Sequence, residues 1–418
     1  MLSVSATFTR DGLVGIPADP FGASFCLLFV ALFFARAFYR MDLLTIGDFY
    51  RKRYGKPVEV ATSVAITVTY LGWTSAQLTA LGLVFSVLSR GAIPLETGIY
   101  LGAAVVLVYT VMGGLWAVAM TDMVQSAVIL VGLVLVAWLI GDMAGGAGAV
   151  IAAAAEAGKF RLFPDGGAKE WLAFVAAWMT LAVGSIPQQD VFQRVTAAKD
   201  EKTAVRGCLI GGGVYFCFAF VPMFIAYAAL VIEPGYGALF ESDDAREIQR
   251  ILPDLILEKT PPWAQVLFFG ALLSAILSTA SGALMAPTAL FTENVIRPFA
   301  PRMSDRQFLL LLRVVLVAFT LAALLFAVDS RSTMYEMVQN AYKVTLVSCL
   351  VPLAAGLWWR RATSASAVLS FVLGLVSWLI AEAVAADATV PPQFVGLAFS
   401  IFGMVLGAVL PAARARHA

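Results

Sequence analysis

The sequence predicts an all-α protein that crosses a membrane about eleven times, and three observations support this prediction. Of the 418 residues, 61% are hydrophobic and 13% are charged, whereas soluble domains carry roughly 25% charged residues. The mean hydropathy is +0.87. Apolar runs of bilayer-crossing length recur along the whole chain. We place them at about 20–38, 60–88, 96–114, 117–141, 170–187, 207–232, 263–286, 307–327, 336–358, 364–385 and 393–411.

Basic residues alternate with these spans and predict the orientation of the chain. They cluster after the first, fifth, seventh and ninth spans and in the C-terminal tail, whereas the joint ESDDAREIQR mixes both signs. Because Lys and Arg stay on the cytoplasmic side, we expect the N-terminus outside and the C-terminus in the cytoplasm of a cell (inner) membrane. The basic residues of these joints are Arg36, Arg40, Arg51, Lys52, Arg53, Lys56, Arg194, Lys199, Lys202, Arg206, Arg297, Arg302, Arg306, Arg360, Arg361, Arg414 and Arg416.

The composition argues against several classes of function. The single histidine, His417, lies in the C-terminal tail, which removes nearly every His-based catalytic or metal scheme. The sequence shows no nucleophile–base pair, so we expect no enzyme. Basic nucleic-acid patches and phosphate-binding glycine loops are absent, so nucleic acid is not an expected partner. The four cysteines lie in apolar runs and resemble small buried hydrophobes; they are Cys26, Cys208, Cys217 and Cys349.

The stretch from Gly270 to Asn294, GALLSAILSTASGALMAPTALFTEN, carries hydroxyl side chains through the seventh predicted span. The adjacent Ser278 and Thr279 can direct two hard oxygen atoms at one point, which suits a small hard cation. Hydroxyls in membrane helices also commonly bond a carbonyl one turn back or serve close helix packing. The residues alone leave both interpretations open.

Two of the charged residues within predicted spans are candidates for function, because ionisable groups there are costly unless paired or hydrated. Asp122 lies near the start of the fourth span, where it can ligand a cation, hold a gate, or be stabilised by the helix N-terminus and interfacial water. Lys343 lies about two turns into the ninth span. It can pair with a buried carboxylate, stand where a cation would, or snorkel towards the outer face; we expect snorkelling.

Tyr70, Trp73 and Gln77 lie three and four residues apart in the second span and therefore share one helix face. An aromatic ring and an amide are a reasonable lining for a small polar or cationic solute, the ring through cation–π attraction. Helix packing would use the same residues.

The fifth span carries Gly184 and Pro187 in its final third, which predicts an interrupted helix. Interrupted membrane helices often free carbonyl groups for an ion or a substrate, although a proline is also an ordinary helix terminator. Trp178, just before the interruption, is a candidate for the same cavity.

Five stretches, in order along the chain, resemble the sodium:solute symporter family, which includes sodium/proline, sodium/pantothenate, sodium/glucose and choline carriers. Together they cover nearly the whole chain from about residue 20 onward. They are LLTIGDFYRKRYG, YTVMGGLWAVAMTDMVQ, IPQQDVFQRVTAAKDEKTAVRG, ALLSAILSTASGAL and VPLAAGLWWRRATSASA.

The resemblance implies a LeuT-like core of two inverted five-helix repeats, with sodium (Na+) as the coupling ion near the middle of the membrane. It implies that Ser278 and Thr279 supply side-chain oxygens to this sodium. Asp122 matches the family's aspartate in the TD-x-x-Q stretch, which is linked to sodium coupling or to a second sodium, and Ser281 is near enough to join such a site. Positions 284 and 285, where some members have further hydroxyls, are Leu and Met here, which argues against a second sodium.

Other members of the family carry one or two more spans before the one at 20–38, and their first core helix gives backbone carbonyls to the sodium. We therefore expect this chain to lack its first core helix and to begin further upstream in the gene. As a single transporter domain, it divides into an external N-terminal remnant (1–19), core spans two to ten (20–358), two peripheral spans (364–411) and a cytoplasmic tail (412–418).

The expected function is sodium-coupled symport of a small organic solute of the amino acid, vitamin or quaternary-ammonium class. Tyr70, Trp73, Gln77 and Trp178 are expected to line the solute cavity. The expected partners are the solute and the lipid bilayer, and the solute's identity and the oligomeric state stay open. The alternatives are a symporter-like sensor domain, a truncated remnant that does not transport, and a proton-driven carrier.

Overall fold

The computed structural model describes residues 2–242, 244–300 and 302–409, and of residues 113–122 it describes the backbone alone. In this part of the chain the regular structure is entirely helical, as predicted. The helices are α1 (Leu2–Asp11), α2 (Pro17–Met41), α3 (Ile46–Tyr54), α4 (Lys56–Leu88), α5 (Leu95–Met143), α6 (Ala147–Glu156), α7 (Ala168–Ala182), α8 (Gln189–Thr196), α9 (Glu201–Ile232), α10 (Ile251–Lys259), α11 (Pro262–Phe291), α12 (Asp305–Asp329), α13 (Met334–Ser348 with Leu350–Trp358), α14 (Ser364–Ala385) and α15 (Pro392–Val409).

The number of membrane-crossing helices agrees with the prediction of about eleven spans. Within the described ranges, nine helices are long and apolar enough to cross, and ten if the two halves of α13, bent by 42°, count as one span. The remaining predicted span, 170–187, contains α7, which has only 15 residues. The predicted spans 96–114 and 117–141 both lie in α5, which runs as one helix of 49 residues, so the predicted break between them is not observed. Its two apolar parts, Leu95–Met112 and Met123–Met143, are counted separately among the nine.

The predicted interruption of the fifth span is confirmed. Helix α7 ends at Ala182, a turn follows through Gly184 and Pro187, and α8 begins at Gln189. Two short helices, α6 and α10, also lie in the long joints at 142–168 and 233–262. The local signals of glycine, proline and hydropathy therefore locate the break near Pro187 and the two long joints correctly.

Contacts between distant segments place several predicted basic joints at one end of the molecule, which we call the basic end. The Arg40 guanidinium donates to the Glu201 carboxylate at 2.7 Å, which joins the end of α2 to the start of α9. Arg53 donates to the carbonyl of Gly356 at 3.1 Å, which joins α3 to the end of α13.

At the opposite end, the joints pack over the bundle. The backbone N–H of Leu13 donates to the carbonyl of Lys159 at 2.8 Å, so the residues after α1 pair with the joint that follows α6. Arg246 donates to the carbonyl of Ser330 at 3.1 Å. Hydrogen bonds from the same guanidinium lower the pKa of the Asp244 carboxyl, so this pair stays charged at neutral pH.

The N-terminal helix α1 is buried in the bundle. Leu2 and Phe8 are each 4% exposed, and the Phe8 ring packs edge-on against Tyr227 of α9 at 6.2 Å. The Ser3 hydroxyl accepts a hydrogen bond from the backbone N–H of Tyr335 at 2.9 Å. Most of α1, which lies in the segment predicted to be external, thus packs inside the protein.

Lys343 forms an ion pair, so the expectation that it snorkels is wrong. Its Nζ lies 3.3 Å from Oε1 of Glu382 on α14. The Trp378 indole N–H donates to the other carboxylate oxygen at 3.0 Å. A carboxylate on the neighbouring helix satisfies the ammonium group without its having to reach water.

The peripheral helix α14 packs closely on α13 and α15 at a glycine. A Cβ atom added to Gly374 would lie 2.0 Å from the carbonyl oxygen of Val347 and 2.8 Å from Cβ of Ser400. Glycine allows this close approach because it has no side chain. Lipid tails are as apolar as side chains, so association between membrane helices depends on such packing.

We expect Gly374→Ala to lower the melting temperature of the detergent-purified protein by a few degrees, because overpacking costs about 1–3 kcal/mol. Gly213→Ala is the matched control: it lies in α9, where nothing lies within 4 Å of an added Cβ, so its melting temperature should stay unchanged or rise. Equal melting temperatures for the two variants would contradict the close packing.

Candidate functional site

A cavity of about 530 Å³ lies between α2, α4, α8, α11 and α13. Three of the predicted site residues line it: Trp73 and Gln77 from α4 and Thr279 from α11. The structure thus brings part of the predicted sodium site and part of the predicted solute site to one space. The other polar, charged or tyrosine residues of the lining are Ser3, Asp19, Ser185, Asp190, Arg194, Tyr215, Tyr335 and Tyr342.

The hydroxyls of α11 divide between the cavity and the helix itself. Thr279 faces the cavity. Ser281 is fully buried, and its hydroxyl donates to the carbonyl of Ser278 at 3.0 Å, the local bonding common in membrane helices. The Thr74 hydroxyl of α4 donates to the carbonyl of Ala283 at 3.2 Å and so holds the two helices together beside the cavity.

Side chains from α13 satisfy the backbone where the fifth span is broken. The Thr345 hydroxyl donates to the carbonyl of Gly184 at 2.7 Å. The Gln188 amide in turn donates to the Thr345 hydroxyl at 3.1 Å. Peptide groups freed at membrane depth need such partners, so the break is a stable part of the fold.

Tyr70 acts on the cavity through a neighbour. Its side chain is buried at 2% exposure, and its hydroxyl donates to the Asp190 carboxylate. The same hydroxyl accepts the backbone N–H of Asp190 at 2.9 Å. Tyr70 therefore orients a carboxylate that lines the cavity and fixes the start of α8 against α4.

A second carboxylate in the lining, Asp19, was not among the predicted site residues. It lies near the start of α2 and accepts a hydrogen bond from the Tyr215 hydroxyl of α9. The preceding backbone N–H, that of Ala18, donates to the Tyr335 hydroxyl at 3.3 Å. The available signal was an aspartate at the edge of the first apolar run, which we assigned to the external segment.

Aromatic rings form one wall of the cavity. Trp73 and Tyr342 pack edge to face, with ring centroids 5.3 Å apart and planes at 82°. The Trp73 indole N–H is buried and has no hydrogen-bond partner among the described residues. Rings in this position offer both an apolar surface and electron-rich faces to a ligand.

The structure does not bring Trp178 to the cavity lining. Its indole packs edge-on against Phe25 and Phe29 of α2, at centroid distances of 5.4 and 6.3 Å. The ring therefore packs between α7 and α2, and its contact with the solute stays a prediction. The side chain of Asp122 lies outside the described residues, and its role stays a prediction.

Comparisons with known proteins agree with this architecture. The family model for the sodium:solute symporter family matches residues 4–374. High-affinity choline transporter 1 of Caenorhabditis elegans is 26% identical over 383 residues, covering 89% of this chain and 64% of the relative. The high-affinity proline transporter PutP of Bacillus subtilis is 24% identical over 343 residues, covering 81% and 70%. The chain spans about three-fifths of the length of the choline transporters it matches.

Two solved structures share the fold. A Na+-coupled sialic acid symporter in a substrate-bound outward-open state superposes with a TM-score of 0.75 at 19% identity, covering 98% of this chain and 88% of that one. Mhp1, a nucleobase-cation-symport-1 family transporter in a closed conformation, superposes with a TM-score of 0.58 at 16% identity, covering 97% of this chain and 89% of that one. The predicted LeuT-like fold is thereby confirmed. Because the family model also matches most of its length, the chain belongs to the sodium:solute symporter family.

Proposed function

We propose that this protein is a sodium-coupled symporter that imports a small organic solute by alternating access. The observation that supports this most is that Thr279 of α11 lines the same cavity as Trp73 and Gln77. Sodium bound at Ser278 and Thr279 would favour the outward-open state, and the solute would then occupy the adjoining space. The membrane potential contributes about 2.3 kcal/mol per charge per 100 mV to inward movement.

The solute that fits the cavity best is an organic cation of the choline type. The described lining contains two carboxylates, Asp19 and Asp190, against one guanidinium, Arg194. Trp73 and Tyr342 add ring faces, which attract cations. The similarity to choline transporters supports the same class of solute.

A zwitterion such as proline is the second candidate, and Arg194 supports it. Its guanidinium lies against α11, since a Cβ added to Gly282 would be 3.5 Å from its Nη2. No hydrogen bond or ion pair to this guanidinium is found within the described residues. A guanidinium is well suited to a carboxylate, and proline transporters are also among the relatives.

Several further assignments remain proposals. A second sodium at Asp122 and Ser281 is compatible with the bond from the Ser281 hydroxyl to the Ser278 carbonyl, because a donating hydroxyl keeps its oxygen lone pairs for an ion. We take the basic end to be cytoplasmic in a cell (inner) membrane, in keeping with the distribution of Lys and Arg. A sensor role and proton coupling remain alternatives, and proton coupling would be shown by uptake that follows pH and ignores sodium.

We expect Ser278→Ala combined with Thr279→Ala to raise the sodium concentration for half-maximal choline uptake at least tenfold, about 1.4 kcal/mol, because two oxygen ligands are removed. Radiolabelled choline uptake into proteoliposomes, with potassium replacing sodium at constant ionic strength, measures this. Thr288→Ala is the control, since its hydroxyl donates to the Leu284 carbonyl within α11. An unchanged sodium dependence in the double variant would refute the sodium assignment.

We expect Asp19→Asn to weaken choline uptake roughly tenfold, because losing one ionic partner costs on the order of 1–3 kcal/mol. The measurement is the choline concentration for half-maximal uptake, with proline as a competitor. Asp11→Asn is the control, because Asp11 pairs with Arg10 on an exposed surface and is absent from the cavity lining. If Asp19→Asn leaves choline transport intact while proline competes fully, the zwitterion is the better assignment.

We expect Tyr70→Phe to raise the half-saturating solute concentration several-fold, because a hydrogen bond to a charged group is worth about 1.5–3 kcal/mol and Asp190 would lose its orienting donor. Tyr227→Phe serves as the matched control, since that hydroxyl donates to the carbonyl of Ala153, away from the cavity lining. The same uptake kinetics in both variants would show that Tyr70 has no part in positioning Asp190.

A further inference from the structure

A buried polar network lies at the basic end, apart from the cavity. It consists of Thr45, Asp48, Glu59 and Asn294, which we call the basic-end network. Their exposures are 1%, 7%, 0% and 0%, respectively. The four residues come from three segments: the α2–α3 joint with α3, the start of α4, and the turn that continues α11.

Asn294 is the centre of this network, and its side-chain amide bonds all three partners. Its Nδ2 donates to Oε1 of Glu59 at 2.8 Å and to Oδ1 of Asp48 at 3.1 Å. Its Oδ1 accepts the Thr45 hydroxyl at 2.7 Å. One amide therefore ties the end of α11 to α3 and to the start of α4, which lie 246 and 235 residues away in the chain.

The network is balanced in charge, which argues that it fastens helices and does not bind a cation. The Lys56 ammonium lies 3.2 Å from the Glu59 carboxylate. The Arg51 guanidinium lies 3.6 Å from Asp48 and 3.8 Å from Glu59. Two basic side chains thus match the two carboxylates, and the half-exposed Arg51 and Lys56 can follow the carboxylates into water if the segments separate.

Helix α3 packs closely on the amide at Gly47. A Cβ added to Gly47 would lie 2.5 Å from Cγ of Asn294 and 2.7 Å from the Ser63 hydroxyl. Helix α3 can therefore leave α4 and α11 only if the bonds to Asn294 break.

The network connects to both sides of the cavity. Asn294 lies in the helical turn Thr292–Ile296 that continues α11, the helix that carries Thr279. The backbone N–H of Ile46, next to Thr45, donates to the Gln189 side chain at 2.9 Å. Gln189 begins α8, and the next residue is Asp190 of the cavity lining.

We propose that Asn294 is a positioning residue that holds the transporter closed at its basic end, and that its bonds to Asp48 and Glu59 break when the cavity opens towards that side. This inference rests on the alternating-access function proposed above. Thr279 lies on α11, which continues into the turn that holds Asn294. Asp190 lies on α8, which begins at Gln189 beside the network. Release of sodium from Thr279 or of solute from Asp190 would therefore favour breaking the bonds of Asn294.

Cys26 provides a native reporter, because it lines the cavity and is 4% exposed. In a background carrying Cys208→Ala, Cys217→Ala and Cys349→Ala, a membrane-impermeant maleimide is added to inside-out vesicles without solute or sodium. We expect Asn294→Ala to accelerate labelling of Cys26 at least tenfold, because it removes two hydrogen bonds to charged groups. Thr288→Ala, a buried hydroxyl variant on the same helix, should label at the parent rate.

A charge exchange separates this role from simple destabilisation. Asn294→Asp should label at least as fast as Asn294→Ala, because it places a third carboxylate beside Asp48 and Glu59. Adding Glu59→Gln to Asn294→Asp returns a donor to the contact between positions 59 and 294 at the original net charge, and labelling should slow towards the parent rate. This comparison holds even if Asn294→Ala fails to fold.

Parent-like labelling of Asn294→Asp, no rescue by Glu59→Gln, or equal acceleration in right-side-out vesicles would each overturn the proposal. The labelling needs no solute and no sodium. A protein that shows no sodium-dependent uptake would therefore refute the proposed function while leaving the test of Asn294 intact.

Discussion

The structure depends on one constraint: a helix broken inside a membrane must find hydrogen-bond partners for the peptide groups it frees, each of which would otherwise cost several kcal/mol. Between α7 and α8, Thr345 supplies a donor for the Gly184 carbonyl and Tyr70 accepts the Asp190 N–H. These partners hold α8 against α4 and α13. The cavity forms at this point because the broken helix cannot fill the space that a continuous one would occupy.

Buried charged groups need partners in the same way. Inside the bundle, Asp190 and Asp19 each accept a tyrosine hydroxyl, so both carboxylates are oriented without being neutralised by a basic side chain. At the basic end, Asp48 and Glu59 are instead paired with basic side chains and with one amide. Carboxylates without a basic partner suit a site for cations, whereas carboxylates paired with basic side chains suit a contact that fastens helices. The two clusters therefore contribute differently to a transport cycle, although both are largely buried.

Local sequence signals located part of the candidate site. The spacing of Trp73 and Gln77 marks one helix face, and the structure places both in the cavity with Thr279. Trp178 was expected beside them, yet its ring packs on Phe25 and Phe29. The difference arises because spacing within a helix says which side chains share a face, but not which neighbour that face meets.

The sequence by itself determined the membrane class, the approximate number of spans, the break near Pro187 and the family, since hydropathy, proline geometry and ordered motifs act over short stretches. Only the tertiary structure decided that Asp19 meets Tyr215, 196 residues away, and that Lys343 pairs with Glu382. The physical reason is that lipid is as apolar as the protein interior. A membrane helix that is apolar on every side does not reveal which face turns inward, so its polar partners are known only once the helices are packed.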